Sequence, residues 1–146
     1  MLKRDQIGLR LPAFQVCADV SQLRLFAKVV GETDPLYFDE SAAQAAGHPS
    51  LPLPPTFLFS LELLQPNTQW REHLGIDPAR ILHGEQSFTY HRTAYAGETL
   101  LFETRIADIY DKKGGVLEFV VKETRVSNQA GAYVADLRST IVHRST

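Results

Sequence analysis

Carboxylates and an aromatic hydroxyl crowd one short stretch of the chain, GETDPLYFDESAA, which spans residues 31–43. Glu32 and Asp34 precede Tyr37 there by five and three residues. A carboxylate can accept a proton and a phenol can donate a hydrogen bond, so these residue types suit general acid–base chemistry. Carboxylates also gather at turns and helix starts, where they cap free amides. Glu32 therefore stays open between catalysis and turn formation, whereas Asp39 is assigned to a helix cap.

Histidine is a second source of proton chemistry in this sequence. His83 opens a long predicted strand directly before Gly84. A glycine inside a strand can mark a place where a ligand or another backbone approaches closely. His83 is thus a catalytic candidate, with a hydrogen-bonded structural histidine as the alternative. Tyr37 has a similar pair of interpretations, because it either contacts a substrate or packs on Pro35.

A stiff segment leads into an apolar one in the middle of the chain. Four prolines in HPSLPLPP, residues 48–55, exclude a regular helix or a central strand and predict an extended approach. Residues 56–64 are apolar nearly all round, which predicts a buried helix, with a short buried strand as the alternative. A helix start presents free amides that can bind an oxyanion. Since Pro54 and Pro55 lack an N–H, the donors would come from Thr56, Phe57 and later residues.

The elements that must position these residues follow an α+β pattern, with helices first and strands second. Apolar residues at three- and four-residue steps predict a helix over residues 19–30 that ends at Gly31. A second helix is predicted to start near Asp39 and to stop at Gly47. From His83 onward the apolar period changes to two. Further strands are then predicted over residues 101–110, 116–126 and 132–142, with turns at 113–115 and 128–131.

Length, charge and cysteine content limit the class of protein. The 146 residues suit a single domain, and the net charge of -2 gives no whole-chain attraction to nucleic acid or an acidic membrane. The lone Cys17 excludes an intrachain disulfide and a cysteine metal cluster, and we expect it to be a buried core residue. No His/Cys/Asp spacing predicts a metal site. Without a signal peptide or a membrane span in the sequence, a cytoplasmic protein is expected.

Three stretches together resemble the MaoC-like dehydratases. The first is GETDPLY, residues 31–37, which is similar to the family's hydratase signature Gly-Asp-x-Asn-Pro-Leu/Ile-His. The second is the proline-rich LPPTF at 53–57. The third is HGEQSFTYHR at 83–92, followed by AGETL at 96–100. It looks like the N-terminal-type subgroup, similar to bacterial hydroxyacyl dehydratase subunits that pair with a second hot-dog chain.

The resemblance implies acyl-thioester chemistry, in which water is added to a 2-enoyl thioester or removed from a 3-hydroxyacyl thioester. Catalytic members of the family hold a water between an Asp and a His five residues later. Here Glu32 stands for the Asp, Tyr37 for the His and Asp34 for the Asn of the signature. A phenol with an ordinary pKa of about 10 is a poor base at neutral pH, so the proton-transfer pair is not intact. Catalysis on this chain would need Glu32 with another donor, such as Tyr37, His48 or His83.

The same resemblance implies an α+β hot-dog fold, with a curved antiparallel sheet wrapped around the central apolar helix. The acyl thioester, on coenzyme A or an acyl carrier, would lie in a tunnel beside that helix, with no further cofactor. The catalytic candidates are then Glu32, Tyr37 and His83. The candidate substrate-binding residues are Asp34, Pro55, Thr56, Phe57 and Gly84.

Three functions stay open at this point. The chain is a hydratase or dehydratase with a degenerate pair, a non-catalytic acyl-binding subunit, or a thioesterase that uses Glu62 or Glu32. The unpaired edge of a long sheet predicts a dimer through continued strand pairing, with a second copy or with a related hot-dog chain. Neither nucleic acid nor a membrane is expected as a partner. We favour the second function, in which the partner chain supplies the intact pair.

Overall fold

Four of the five strands follow the helices in the chain, as the α+β pattern predicts. The computed structural model describes residues 1–145. Its helices are α1 (Val20–Val29), α2 (Glu40–Ala45), α3 (Phe57–Glu62) and α4 (Gln69–Leu74). Its strands are β1 (Phe14–Cys17), β2 (Ile81–Tyr90), β3 (Thr99–Lys112), β4 (Leu117–Asn128) and β5 (Tyr133–Arg144).

The strands form one antiparallel sheet in the order β1-β3-β4-β5-β2. The β3–β4 turn has Lys113 at φ 55°, followed by Gly114 and Gly115 at positive φ, which confirms the predicted glycine turn. The pairing register shifts between His83 and Glu85 in β2 and again in β3 and β4. Such bulges bend strands and increase their twist, so they help to curve the sheet.

Side-chain caps fix both helices predicted in the first half of the chain. Asp19 accepts hydrogen bonds from the amides of Ser21 and Gln22 at the start of α1. Asp39 accepts one from Ala42 N at 2.7 Å at the start of α2, as its assignment to a cap predicts. These caps satisfy amides that a helix leaves free at its N-terminus.

Helix α3 lies on the concave face of the sheet and forms the centre of the main core. Phe57, Leu58, Leu61 and Glu62 are buried. Leu58 and Leu61 belong to one cluster with strand residues such as Phe102. The segment is therefore the predicted buried helix and not a strand. It ends at Glu62, two residues before the end of the apolar run, and Leu63 and Leu64 beyond it are exposed.

A second core lies at the other end of the sheet and was not predicted from sequence. Trp70 and Leu74 of α4 are buried there against Ile106, Ile109 and other strand residues. The edge strand β1 also went unpredicted, and it corrects the expectation for Cys17. That residue is exposed, because it occupies the last position of an edge strand and not a core position. Among the residues described, no helix is long and apolar enough to cross a membrane.

Candidate functional site

One cavity of about 240 Å³ gathers residues from five separate parts of the chain. They are the signature turn, the proline segment, the first turn of α3, the end of β2 with the segment after it, and the start of β5. Its lining is mostly apolar, with a few polar side chains. We call it the Tyr37 cavity, and its lining consists of Leu36, Tyr37, His48, Pro52, Leu53, Pro54, Pro55, Leu58, Tyr90, Arg92, Thr93, Ala94 and Val134.

The carboxylates of the signature turn are bonded to their own backbone. Glu32 Oε1 accepts hydrogen bonds from Thr33 N at 2.9 Å and Asp34 N at 3.1 Å. Asp34 Oδ1 accepts one from Leu36 N at 3.1 Å, which caps the short 3-10 turn that follows. Within the described chain, neither Glu32 nor Asp34 lines the Tyr37 cavity. Both side chains therefore shape the turn that carries Tyr37.

Tyr37 is the polar residue of the signature turn that lines the cavity, next to Leu36. Burial raises the pKa of its phenol, and the negative charges of Glu32 and Asp34 raise it further. The phenol is thus neutral at physiological pH. It can serve as a hydrogen-bond donor, but at neutral pH its phenolate form is even rarer than that of an ordinary tyrosine, so little of it is available as a base.

His48 is the second polar group of the cavity, and its ring contacts Tyr95, which lies outside the cavity lining. Its Nδ1 lies 3.2 Å from the hydroxyl of Tyr95, and the two rings are 5.8 Å apart at 54°. Tyr95 is itself fixed, because its amide donates to Glu98 Oε2 at 2.9 Å. The sequence marked His48 only as one of several donors. The structure places it beside Tyr37, which a separation of eleven residues did not reveal.

The end of β2 supplies two further groups. Tyr90 stacks on Phe88 at 5.8 Å and 5°, which confirms that the two share a face of the strand. Burial raises the pKa of Tyr90 to about 12, so it too is a neutral donor. Arg92, just beyond the strand, also lines the cavity. Its neighbour His91 is bonded to Asp136 at 2.9 Å and does not line the cavity.

The structure separates His83 and Gly84 from the Tyr37 cavity. His83 is exposed and packs against Phe59 of α3, with ring centroids 4.8 Å apart and the ring planes tilted by 55°. Gly84 lies in the β2 bulge, where an added Cβ would sit 2.8 Å from Val142 Cγ2 and 3.1 Å from Thr140 O. The close approach that its sequence position indicates is therefore to strand β5. Neither residue lines the cavity within the described chain.

The start of α3 offers fewer donors than the sequence predicts. Pro54 and Pro55 line the cavity and have no N–H. Phe57 N donates to Pro54 O at 3.0 Å, so this amide is already used in the turn. Thr56 makes no side-chain capping bond.

Glu62 occupies the opposite end of α3, away from the cavity. It is buried, and its Oε1 accepts the Thr124 hydroxyl at 2.5 Å. Lys122 Nζ lies 3.5 Å from the same oxygen. Glu62 is not part of the cavity lining in residues 1–145. It therefore joins the central helix to the sheet.

A second, wider groove of about 800 Å³ crosses the other face of the sheet. Its charged side chains pair with one another across the strands: Arg105 lies 2.6 Å and Arg138 2.5 Å from the carboxylate of Glu123. Exposed pairs of this kind are solvated and weak. The Tyr37 cavity, with its apolar walls and few polar groups, is the better candidate for a ligand site.

Comparison with known proteins places this chain in one family. The family described as "FAS1-like, dehydratase domain region" matches residues 5–137. A UPF0336 protein of Parafrankia sp. is 35% identical over 151 residues, covering 99% of this chain and 96% of the relative.

Solved structures agree with that match. The HadBC (3R-hydroxyacyl-ACP dehydratase) complex of Mycobacterium tuberculosis gives a TM-score of 0.81 at 28% identity, covering 97% of this chain and 99% of that chain. A MaoC-like dehydratase has the same fold, with a TM-score of 0.84 at 22% identity, covering 97% of this chain and 43% of that chain. The chain belongs to the FAS1-like dehydratase-domain family, and it is a MaoC-like domain with the α+β hot-dog fold.

Proposed function

We propose that this chain is the acyl-binding subunit of a 3-hydroxyacyl dehydratase or 2-enoyl hydratase. It holds the acyl part of a coenzyme A or acyl-carrier thioester in the Tyr37 cavity. A partner hot-dog chain supplies the Asp and His that move the protons. The observation that carries this proposal is the Glu32 carboxylate, which is bonded to Thr33 N and Asp34 N and does not line the cavity.

The chemistry of the cavity supports acyl binding. Its walls from the proline segment and α3 are apolar, which suits an acyl chain, and burial of each CH₂ is favourable by about 0.8 kcal/mol. Arg92 suits the phosphates of the carrier, because a guanidinium can bind phosphate through two parallel hydrogen bonds. Tyr37 and His48 provide donors for the polar end of the acyl group.

The sheet edge supports a partner chain. Strand β2 ends the sheet and pairs only with β5 among the described residues, so its other edge is free. It is ten residues long, whereas β1 at the opposite edge has four. Leu82 and Tyr90 on β2 are 55% and 45% exposed. A long edge with apolar side chains favours pairing with another strand. The HadBC structure is of a complex, which supports a related hot-dog chain as the partner.

The deciding experiment follows crotonyl-coenzyme A hydration by ultraviolet loss of the enoyl thioester, with calorimetric binding alongside. We expect the pure chain to bind the thioester without appreciable hydration. Addition of a hot-dog partner with an intact Asp/His pair should give hydration, and Glu32→Gln in this chain should leave that rate within about twofold. Hydration by the pure chain at a typical enzyme rate, on the order of 1 to 1,000 per second, would overturn the proposal if Glu32→Gln abolished it.

Thioester hydrolysis is not proposed for this chain. Its candidate Glu62 is buried and bonded to Thr124 and Lys122, outside the cavity lining. Glu32, the other candidate, is bonded to backbone amides. Release of free coenzyme A thiol in the same assay would be the sign of hydrolysis, and we expect none above the buffer rate.

A further inference from the structure

A thioester carbonyl that enters the Tyr37 cavity leaves the hydrogen bonds it made to water. A buried carbonyl without a donor is costly, so the cavity has to offer one. The first turn of α3 is a poor source here. Pro54 and Pro55 have no N–H, and the amide of Phe57 is bonded to Pro54 O at 3.0 Å. Among the amides of this turn, that leaves those of Thr56 and Leu58, so a polar side chain of the cavity lining is a valuable further donor.

His48 is the side-chain donor whose direction the fold fixes. Its Nδ1 faces the hydroxyl of Tyr95 at 3.2 Å. Tyr95 does not line the cavity, whereas His48 does, so Nε2 is the ring nitrogen left for a ligand. When the Tyr95 hydroxyl donates to Nδ1, the neutral ring carries its proton on Nε2. Among the contacts of residues 1–145, Nε2 has no protein partner.

Tyr95 is in turn held by the backbone around it. Its amide donates to Glu98 Oε2 at 2.9 Å, and its backbone pairs with Pro52 of the proline segment. The proline segment and the Tyr95 loop thus bring the histidine and its orienting phenol together. Tyr37, another neutral donor of the same cavity, has no side-chain partner within residues 1–145 that fixes its hydroxyl. A donor that is already oriented loses less freedom on binding.

We propose that His48, oriented by Tyr95, binds the thioester carbonyl oxygen through its Nε2–H. This inference rests on the proposed acyl-binding function and names the residue that recognises the thioester group. His48 contacts the substrate, and Tyr95 is a positioning residue that acts through it. The role is independent of which chain carries the proton-transfer pair.

The test compares two ligands that differ only in the carbonyl. Butyryl-coenzyme A has it, and the thioether S-butyl-coenzyme A lacks it. Calorimetry on this chain should give about a fivefold to tenfold preference for the thioester, the usual contribution of one net hydrogen bond. His48→Phe should erase this preference through weaker thioester binding, with thioether affinity unchanged within about twofold. His48→Gln keeps an N–H donor and should recover part of it.

Three further variants separate orientation and competition from packing. Tyr95→Phe removes only the hydroxyl that orients the ring, and we expect it to lower the preference about twofold to threefold. Tyr37→Phe removes a competing donor of the same cavity. Tyr110→Phe removes a phenol hydroxyl outside the cavity lining, so it is the matched control and should leave the preference intact. Infrared difference spectra of ¹³C-carbonyl butyryl-coenzyme A give an independent readout. The carbonyl stretch should fall on binding to the parent and return toward its free value in His48→Phe.

Each outcome bears on a different claim. If the parent binds neither ligand, the proposed acyl binding fails and this inference fails with it. If the parent binds both ligands equally, or if the preference survives His48→Phe, acyl binding stands and the role of His48 is overturned. Loss of the preference in Tyr37→Phe, with His48→Phe unchanged, would assign the carbonyl to Tyr37 and overturn the inference as well.

Discussion

The Lys122 ammonium lies 3.5 Å from Glu62 Oε1, across the contact between α3 and β4. Both side chains are buried, and the Thr124 hydroxyl donates to the same carboxylate oxygen. Glu62 Oε2 has no hydrogen-bond partner among the described residues. The pair fixes the end of the central helix over the sheet. The ion pair also occupies the Glu62 carboxylate, which a thioesterase mechanism would need to be free.

Removal of one member of this pair should be costly. We expect Glu62→Ala to lower the free energy of unfolding by about 3–5 kcal/mol, because it leaves the Lys122 charge buried without a partner. Glu62→Leu combined with Lys122→Met should cost less than the single change, since no charge remains buried. Urea unfolding of the three proteins checks this. A double variant at least as unstable as Glu62→Ala would show that packing, and not the unpaired charge, dominates.

Gly84 should be required for packing against β5. A methyl group there would meet Val142 Cγ2 at 2.8 Å and Thr140 O at 3.1 Å. We expect Gly84→Ala to destabilise the chain by about 1–3 kcal/mol, the usual cost of overpacking. Val142→Ala should recover part of the loss in the double variant, as measured by thermal and urea unfolding. Equal stability of Gly84→Ala and the parent would contradict the close approach.

Acid should weaken the second core through Glu118. Burial raises the pKa of this carboxyl, but hydrogen bonds from Leu2 N and the Ser145 hydroxyl outweigh that effect and lower it below its ordinary value of 4.5. A carboxyl whose pKa is lower in the folded than in the unfolded chain stabilises the fold when the pH is above its unfolded-state pKa. This contribution is lost as the pH falls through its folded-state pKa. The stability gap between the parent and Glu118→Gln should therefore be constant above pH 4.5 and shrink below it.

Urea unfolding of the parent and of Glu118→Gln between about pH 2.5 and 7 measures this pH dependence. The range spans the usual carboxyl pKa values. A gap that widens as the pH falls below 4.5 would mean that the pKa of Glu118 is raised in the folded chain.

Restoring the family signature should restore proton transfer. Tyr37→His puts a group with an ordinary pKa of about 6.5 where the neutral phenol now lines the cavity. With Glu32→Asp, which shortens the carboxylate to the family's length, we expect crotonyl-coenzyme A hydration to rise about 100-fold over the pure parent, the lower end of acid–base catalysis. Glu32→Asp alone is the control and should change little, because Tyr37 remains. An inactive double variant with intact binding would show that other parts of the site have also diverged.

Local rules were enough to predict much of the fold from sequence. Asp19 and Asp39 cap helices because a side-chain oxygen needs only the amides two or three residues ahead. The turn at 113–115 depends on glycines and on one residue at positive φ, again a property of the segment itself. The apolar period of two predicted the strands of the second half, and the apolar run at 56–64 predicted the buried helix α3. The three signature stretches indicated the family, because each is an uninterrupted segment that can be recognised without knowledge of the fold.

Only the tertiary structure decided which residues meet. Strand β1 has four residues and forms by pairing with β3, more than eighty residues later, so no local pattern identifies it. Its edge position exposes Cys17, which the sequence assigned to the core.

The candidate site divides in the same way. The sequence identified Glu32, Tyr37 and His83 as residues capable of proton chemistry. It could not predict where the Glu32 carboxylate points or what surrounds the two rings, because these depend on distant segments. The fold bonds Glu32 to its own turn, keeps His83 on Phe59, and brings His48 and Arg92 to Tyr37. That convergence comes from packing the proline segment and the end of β2 around α3. Packing of this kind is a property of the whole core, and no single stretch of the sequence contains it.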